Sequence, residues 1–180
     1  IVIRLKEVGA IEIKGNVLMR RAVYDKRLNP NLLCTYARVR DEGDQVTASL
    51  KINATEAGDV ADQKELKLVV DSFDNMRKFF EGLGLKEANY QENRRSVWNY
   101  KGSEIVIDEW PALDTYIEIE SPNIDELREI VLELGLKWED KILVSTDELY
   151  AKKYNITKEE AIKQIAVITF NNIPLLFKKR

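Results

Sequence analysis

The sequence predicts one α+β domain, and two observations support this prediction. Several segments alternate apolar with charged residues, a pattern typical of strands that bury one face. Two of these segments, at 64–72 and 115–121, run directly into amphipathic segments that end at a glycine. A strand, a helix and a glycine stop therefore recur along the chain, which favours a sheet covered by helices.

Three segments, at 4–14, 76–86 and 127–137, each contain a helical stretch that is terminated by a glycine, at Gly9, Gly84 and Gly135. Asp71 or Ser72 is the predicted N-cap of the second helix, and Ser121 with Pro122 and Asn123 opens the third. The predicted apolar stripes are Phe73, Met76, Phe79, Phe80 and Leu83 in the second helix and Ile124, Leu127, Ile130, Val131 and Leu134 in the third. The first helix would end at Gly9 with no strand before it, so the repeat predicts a strand preceding Ile1.

The remaining strands are predicted from period-two alternation and from turn residues between them. The predicted strands are 11–25, 34–40, 45–52, 64–72, 92–100, 103–108 and 115–121, with hairpin turns at 41–44 and 100–102 and a polar loop at 53–63. Capping boxes at 145–148 and 157–160 predict two short helices, followed by a strand and tail at the end. We therefore expect a main domain at 1–140 and a helical C-terminal annex at 141–180 packed on it.

Composition excludes several kinds of chemistry. The chain has no histidine and one cysteine, Cys34, so histidine-based nucleophile pairs, imidazole zinc sites and internal disulfides are excluded. Any metal site would consist of oxygen ligands, which suits Mg²⁺, Mn²⁺ or Ca²⁺. The net charge of -3 argues against a dedicated nucleic-acid binder. Neither a signal peptide nor a membrane-spanning run is recognisable, so a soluble, cytoplasmic protein is expected.

Alternation assigns charged side chains to strand faces. Arg38 and Arg40 would share one face, and Lys51 would lie with the polar face of the next strand. On the later strands, carboxylates share faces opposite apolar residues, namely Glu65, Glu104, Asp108, Glu118 and Glu120. Glu109 and Asp114 would sit at the Trp110 turn in solvent. On any single strand, such alternating charges are explained by a solvent-exposed face of an antiparallel sheet. Basic strands and acidic strands in the same sheet, in contrast, favour the binding of a polyanion together with cations.

Four segments carry a family resemblance: "RVR" at 38–40, "TASLK" at 47–51, "YQENRRSVW" at 90–98 and "IDEWPALDTYIEIES" at 107–121. Together they resemble the CYTH family of triphosphate tunnel metalloenzymes, which includes class IV adenylate cyclases, thiamine triphosphatases and inorganic triphosphatases. The resemblance implies an antiparallel eight-stranded β-barrel with flanking helices that encloses a triphosphate. The family's E-x-E-x-K strand would lie before Ile1, so we expect that the first strand is missing from this sequence, and "IEIK" at 11–14 is interpreted as the second strand.

The resemblance also assigns roles to residues. The residues that would hold phosphate are Arg38, Arg40, Lys51 and Arg95, with Arg94 as the alternative to Arg95. The catalytic residues would be Lys51 and Arg95. The ligands of Mg²⁺ or Mn²⁺ would be Asp108, Glu118, Glu120 and Glu65. Lys67 and Val69 stand where relatives often carry glutamates, a departure that bears on the metal side.

The resemblance implies a metal-dependent phosphohydrolase for inorganic, thiamine or nucleoside triphosphates. Two alternatives stay open: a class IV-type adenylate cyclase that converts ATP to cyclic AMP and pyrophosphate, and a non-catalytic module that binds polyphosphate or nucleotide. A third, plainer interpretation is a structural domain with a charged sheet face. The expected partner is a small triphosphate such as ATP, thiamine triphosphate or tripolyphosphate, with no nucleic acid or membrane, in a monomer or homodimer.

Overall fold

The structure is a computed structural model of the chain and describes residues 1–24, 34–53 and 63–178. The described strands are β1 Ile11–Tyr24, β2 Cys34–Asp41, β3 Val46–Asn53, β4 Gln63–Val70, β5 Glu87–Tyr100, β6 Ser103–Glu109, β7 Tyr116–Glu120 and β8 Val167–Ile168. The described helices are α1 Val2–Glu7, α2 Phe73–Gly82, α3 Ile124–Glu133, α4 Thr146–Tyr154, α5 Lys158–Gln164 and α6 Leu175–Lys178. The predicted polar loop at 53–63 falls almost entirely outside the described residues. None of the described helices is long and apolar enough to cross a membrane.

The strands form one eight-stranded sheet in the order β4-β3-β2-β1-β5-β6-β7, with β8 paired to β5. The pairs β1–β2, β2–β3, β3–β4, β5–β6 and β6–β7 are antiparallel, whereas β8 runs parallel to β5. The predicted α+β class and the eight-stranded sheet with flanking helices are confirmed. The eighth strand is the two-residue β8 near the C-terminus.

The chain divides into two compact units. The first unit comprises Ile1–Val17 and Asn93–Ala161, and the second comprises Leu18–Glu92 and Ile162–Arg180. The predicted boundary at residue 140 stays a prediction.

The core of the second unit lies between α2 and one face of β1 to β3. Small residues of the strands, among them Ala22, Val39 and Ala48, are buried against Phe73 and Phe80 of α2. Small side chains let the helix approach the sheet closely, and the two aromatic rings fill the remaining space. The opposite face of the same strands is therefore left for polar and charged residues.

Helix α2 begins and stops as the sequence predicts. The Ser72 hydroxyl accepts a hydrogen bond from the Asn75 backbone N–H at 3.2 Å, and Gly84 adopts a left-handed φ of 84° beyond the helix. The predicted apolar stripe is wrong at two positions, because Phe79 and Leu83 are 58% and 64% exposed. The helix packs on β2 and β3, and these two side chains lie outside that contact.

The core of the first unit joins α1 and α3 to the apolar face of β5 to β7. Leu5, Trp98, Ile105, Ile130 and Leu134 form one buried cluster. Helix α1 ends before Gly9, whose φ is 82°, and α3 is capped by Asn123 and followed by Gly135, whose φ is 74°. The predicted stops at Gly9 and Gly135 are confirmed. Ile124 is 55% exposed, so its predicted place in the stripe of α3 is wrong.

Helix α4 fixes the turn between β6 and β7. The predicted capping box of Ser145 and Glu148 is present at its start. From the last turns of α4, the hydroxyl of Tyr150 donates to the Pro111 carbonyl, and that of Tyr154 donates to the Ala112 carbonyl at 2.7 Å. These two bonds hold the turn that follows the acidic end of β6 in place.

Shortening Leu5 to alanine tests the packing of α1. Leu5 is 0% exposed, whereas Ile3 on the same helix is 75% exposed. We expect Leu5→Ala to lower the free energy of unfolding by about 2–5 kcal/mol, because it removes buried methyl groups and leaves a cavity. Ile3→Ala should change it by less than about 0.5 kcal/mol. Urea denaturation of both variants measures this, and equal losses would show that α1 is not packed as described.

Candidate functional site

Three cations of the second unit share the sheet face opposite α2; we call Arg38, Arg40 and Lys51 the basic cluster. In the pairing of β2 with β3, Arg38 stands opposite Ser49, and Arg40 stands opposite Thr47. Side chains at paired positions project from the same face of a sheet. Alternation along β3 then adds Lys51 to that face, as the sequence predicts.

Glu65 lies within the basic cluster. Its carboxylate accepts a hydrogen bond from Nη2 of Arg38 at 3.1 Å and pairs with Nζ of Lys51 at 3.5 Å. Burial alone would raise the pKa of Glu65, but the charges of Lys51 and Arg38 outweigh it and lower the pKa below its ordinary value. The structure therefore shows Glu65 as the counter-ion of two predicted phosphate-binding residues, and its role as a metal ligand stays a prediction.

Glu42 is a member of this face that the sequence analysis assigned only to a turn. It accepts a hydrogen bond from the Thr47 hydroxyl at 3.0 Å and lies 3.6 Å from Nζ of Lys67. Burial favours a higher pKa for Glu42, but the Thr47 hydrogen bond and the charges of Lys67 and Arg40 lower it overall. Continuing the alternation of Arg38 and Arg40 by one more step would have identified it.

The basic cluster contains a lysine whose pKa is lowered and a buried N–H donor without an acceptor among the described residues. Burial, followed by repulsion from Arg38, lowers the pKa of Lys51 against the opposing attraction of Glu65. Within the described part of the chain, the buried Nε of Arg38 has no hydrogen-bond partner. A buried N–H without an acceptor is costly, and an anion that supplied one would be stabilised. The cluster therefore has the chemistry of an anion site.

The first unit contains a second charged group, which we call the Arg95 cluster: Asn93, Arg95, Asp108 and Glu118. Asp108 of β6 stands opposite Arg95 of β5. Nε of Arg95 donates to Oδ1 of Asp108 at 2.7 Å, and Nη2 donates to Oδ2. Nη2 also lies 3.4 Å from Oε2 of Glu118, and Nδ2 of Asn93 donates to Oδ1 of Asp108 at 3.0 Å. Three predicted site residues are thus brought together.

The structure distinguishes Arg95 from Arg94. Arg94 stands opposite Glu109 and donates to its carboxylate at 3.3 Å. Adjacent residues of a strand project from opposite faces, so Arg94 lies on the other side of the sheet from the Arg95 cluster. Arg95 is therefore the arginine that shares a face with Asp108. Glu109 and Asp114 lie outside that cluster, as predicted, and Asp114 is paired with Lys153 at 2.9 Å.

The remaining carboxylates of this face are arranged across β6 and β7. Glu118 and Glu120 alternate along β7, and Glu104 stands directly opposite Glu120. Like charges at opposed positions of an antiparallel pair repel each other unless a cation lies between them. Among the described residues, no group of three acidic, histidine or cysteine side chains is close enough to form a complete metal site. Any metal held here would need further oxygen ligands.

The fold is shared with several solved structures. A conserved hypothetical protein from Pyrococcus furiosus is 17% identical with a TM-score of 0.63, over 82% of this chain and 91% of that one. A protein from Pyrococcus horikoshii OT3 is 18% identical with a TM-score of 0.63, over 82% and 90%. A candidate adenylate cyclase from Vibrio parahaemolyticus is 13% identical with a TM-score of 0.61, over 83% and 89%. At these identities the likeness shows the fold alone.

Comparison with curated proteins gives no significant match. The family model of the CYTH domain, by contrast, matches residues 32–154, roughly two thirds of the 180-residue chain. The matched range contains the basic cluster and the Arg95 cluster, which are the residues on which the sequence resemblance rests. The chain therefore belongs to the CYTH family.

Proposed function

We propose that this protein is a metal-dependent phosphohydrolase that acts on an inorganic, thiamine or nucleoside triphosphate. The observation that carries the proposal is the basic cluster, in which three cations share one sheet face and a buried guanidinium N–H lacks an acceptor among the described residues. Membership in a family of triphosphate-binding enzymes supports the same chemistry.

The basic cluster is suited to phosphate rather than to a single carboxylate. Arg38 offers a planar fork of donors, and Lys51 offers a compact ammonium. The three cations of the basic cluster and Lys67 outnumber the two carboxylates beside them, Glu65 and Glu42, and a triphosphate carries several negative oxygens. We assign phosphate binding to Arg38, Arg40 and Lys51.

The carboxylates of β7 fit a hard cation. Mg²⁺ is usually held by one or two carboxylates together with water and substrate phosphates, so a complete protein cage is not required. Glu118 and Glu120 share one face, and the repulsion between Glu104 and Glu120 would be relieved by a cation. We assign the metal to Glu118 and Glu120. A bound Mg²⁺ or Mn²⁺ supplies positive charge that polarises phosphate oxygens.

The chain's own residues act by binding and by electrostatic stabilisation. Water attacks the terminal phosphorus, the bond from that phosphorus to the bridging oxygen breaks, the remaining diphosphate leaves, and the proton lost by the water passes to the solvent. Negative charge grows on the bridging oxygen, and the guanidinium groups of Arg38 and Arg40 stabilise it. Preorganised cations are effective here because they need no reorientation when that charge develops.

An activity assay tests the proposal. The full chain is incubated with Mg²⁺ or Mn²⁺ and with tripolyphosphate, thiamine triphosphate or ATP, and phosphate, pyrophosphate and cyclic AMP are quantified. Metal-dependent release of phosphate supports the proposal. Cyclic AMP with pyrophosphate from ATP would instead show a cyclase, and tight binding without any product would show a non-catalytic module. Absence of both binding and product would leave only a structural role.

The pH dependence of binding tests the role of Lys51. Its pKa lies below the ordinary 10.5, so it loses its proton at a lower pH than a free lysine. Because only the protonated form attracts an anion, tripolyphosphate affinity should fall as the pH rises through the lowered pKa of Lys51, and loss of one charge-assisted contact costs at most about 10- to 100-fold. Lys51→Arg keeps its charge over this range and should remove that fall. Identical pH profiles by calorimetry would show that Lys51 does not contact the anion.

A further inference from the structure

We propose that Asp108 is a positioning residue that orients the guanidinium of Arg95, and that it is not a metal ligand. Its side chain is 1% exposed, and Asp108 lies opposite Arg95 in the β5–β6 pairing. The orientation of Arg95 stands independently of the proposed function. The further step, that the oriented Arg95 presents donors to a phosphate, rests on the proposed function.

The hydrogen bonds of Asp108 occupy both of its oxygens. Oδ1 accepts from Nε of Arg95 at 2.7 Å and from Nδ2 of Asn93 at 3.0 Å, and Oδ2 accepts from Nη2 of Arg95. Two parallel N–H···O bonds between a guanidinium and a carboxylate fix both the distance and the plane of the guanidinium. A buried carboxylate with three donors on it is satisfied without a metal.

Metal binding by Asp108 would disturb this arrangement. A divalent cation on either oxygen would stand beside the positive guanidinium of Arg95, and the two charges repel each other at such short range. To admit the metal, Asp108 would have to release Arg95, whose guanidinium is itself largely buried. A buried charge that loses its partner is strongly unfavourable. Glu118 is 41% exposed and contacts Nη2 of Arg95 only through Oε2 at 3.4 Å, so it can meet a cation while Asp108 keeps its two bonds to Arg95.

The orientation leaves part of the guanidinium for a ligand. In the part of the chain that the structure describes, every hydrogen bond of Arg95 uses Nε or Nη2. The two N–H groups of Nη1 are thus the donors available to a phosphate oxygen. Burial lowers the pKa of Arg95, but the Asp108 hydrogen bonds and charge outweigh it and raise the pKa overall, so the group stays charged.

The first experiment measures the orientation in the unmodified protein by NMR. Exchange of the arginine Nε–H protons with water is compared for Arg95 and Arg94, after assignment through the side chain. We expect Arg95 to exchange at least about ten-fold more slowly than Arg94, whose partner Glu109 is half-exposed. Mg²⁺ at saturation should leave this protection unchanged. Equal exchange of the two arginines, or loss of the Arg95 protection on adding Mg²⁺, would overturn the proposal.

The second experiment separates positioning from ligation with variants. Asp108→Asn should speed Nε–H exchange of Arg95 about ten-fold or more and change Mn²⁺ affinity by less than about three-fold. Glu118→Gln should weaken Mn²⁺ binding about ten-fold or more. Glu109→Gln, the neighbour on the other face, is the matched control and should alter neither. Parallel loss of Mn²⁺ affinity in Asp108→Asn and Glu118→Gln would show that Asp108 is a ligand.

The third measurement tests the link to phosphate. With Mn²⁺ present, Asp108→Asn and Arg95→Ala should each weaken tripolyphosphate binding by about 10- to 100-fold, and the double variant should lose no more than either. Losses that multiply would mean that the two residues act separately. If the unmodified protein binds no tripolyphosphate, the proposed function fails, while the exchange rates still decide whether Asp108 orients Arg95.

Discussion

Replacement of both Arg38 and Arg40 by alanine is expected to weaken tripolyphosphate binding by about 10²- to 10⁴-fold. Each arginine would lose one charge-assisted contact worth about 1.5–3 kcal/mol, and every 1.4 kcal/mol is about a factor of ten in affinity. Lys51 alone would remain from the basic cluster, and Glu65 already neutralises part of its charge. Isothermal titration calorimetry at constant ionic strength measures the affinity, since salt screens such contacts.

The matched control is the double variant Lys78→Ala, Lys86→Ala. Both lysines are exposed and belong to the same unit as the basic cluster. Each double variant removes two positive charges, so the change in net charge is identical. We expect at most about a three-fold loss of affinity, because long-range attraction between exposed charges is screened. A loss as large as that of the arginine variant would mean that net charge, rather than a built site, determines binding.

The sequence alone could predict which charged side chains lie on the same face of the sheet, because this depends only on the alternation of side chains along a strand. Arg38 and Arg40 are two residues apart, and the short turn after Asp41 pairs Arg38 with Ser49 and Arg40 with Thr47. The same reasoning extends to the second hairpin. Lys101 and Gly102 have φ values of 51° and 81°, as a two-residue turn requires. Counting back from that turn places Arg95 opposite Asp108.

The partners of the carboxylates were harder to predict. Glu65 and Asp108 were both expected to bind metal, yet each lies against a cation of its own sheet face. Alternation shows which face a side chain occupies but not its burial or the hydrogen bonds that it makes there. Asn93, which completes the ring of donors around Asp108, carries no charge and so gave no signal in a search for charged patterns.

Contacts between distant parts of the chain account for other differences. Strand β5 begins at Glu87, five residues before the predicted 92. Its extension includes Tyr90 and Gln91, which pair with Val167 and Ile168 of β8. Gln91 is also buried and donates to the Ile165 carbonyl at 2.6 Å. Gln91 and Ile165 are 74 residues apart in the sequence. Local periodicity cannot identify so distant a partner.

Replacement of Arg95 by alanine is expected to lower the free energy of unfolding by about 3–5 kcal/mol. Asp108 would remain fully buried with only Asn93 as a donor, and removal of one member of a buried ion pair usually costs this much. Arg95→Lys retains the charge but cannot make two parallel bonds, so its loss should be intermediate. Chemical denaturation followed by tryptophan fluorescence is suitable, because Trp98 and Trp110 are buried in the same unit.

Arg94→Ala provides the control for this prediction, since it removes the same side chain from the adjacent residue on the opposite face. Arg94 is 41% exposed and its partner Glu109 is 39% exposed, and exposed ion pairs contribute about 0–1 kcal/mol. We therefore expect a loss of at most about 1 kcal/mol. Equal losses for the two alanine variants would contradict the burial of the Arg95–Asp108 pair. A large loss for Arg95→Ala alone would show that this pair contributes to the stability of the first unit, apart from any role in catalysis.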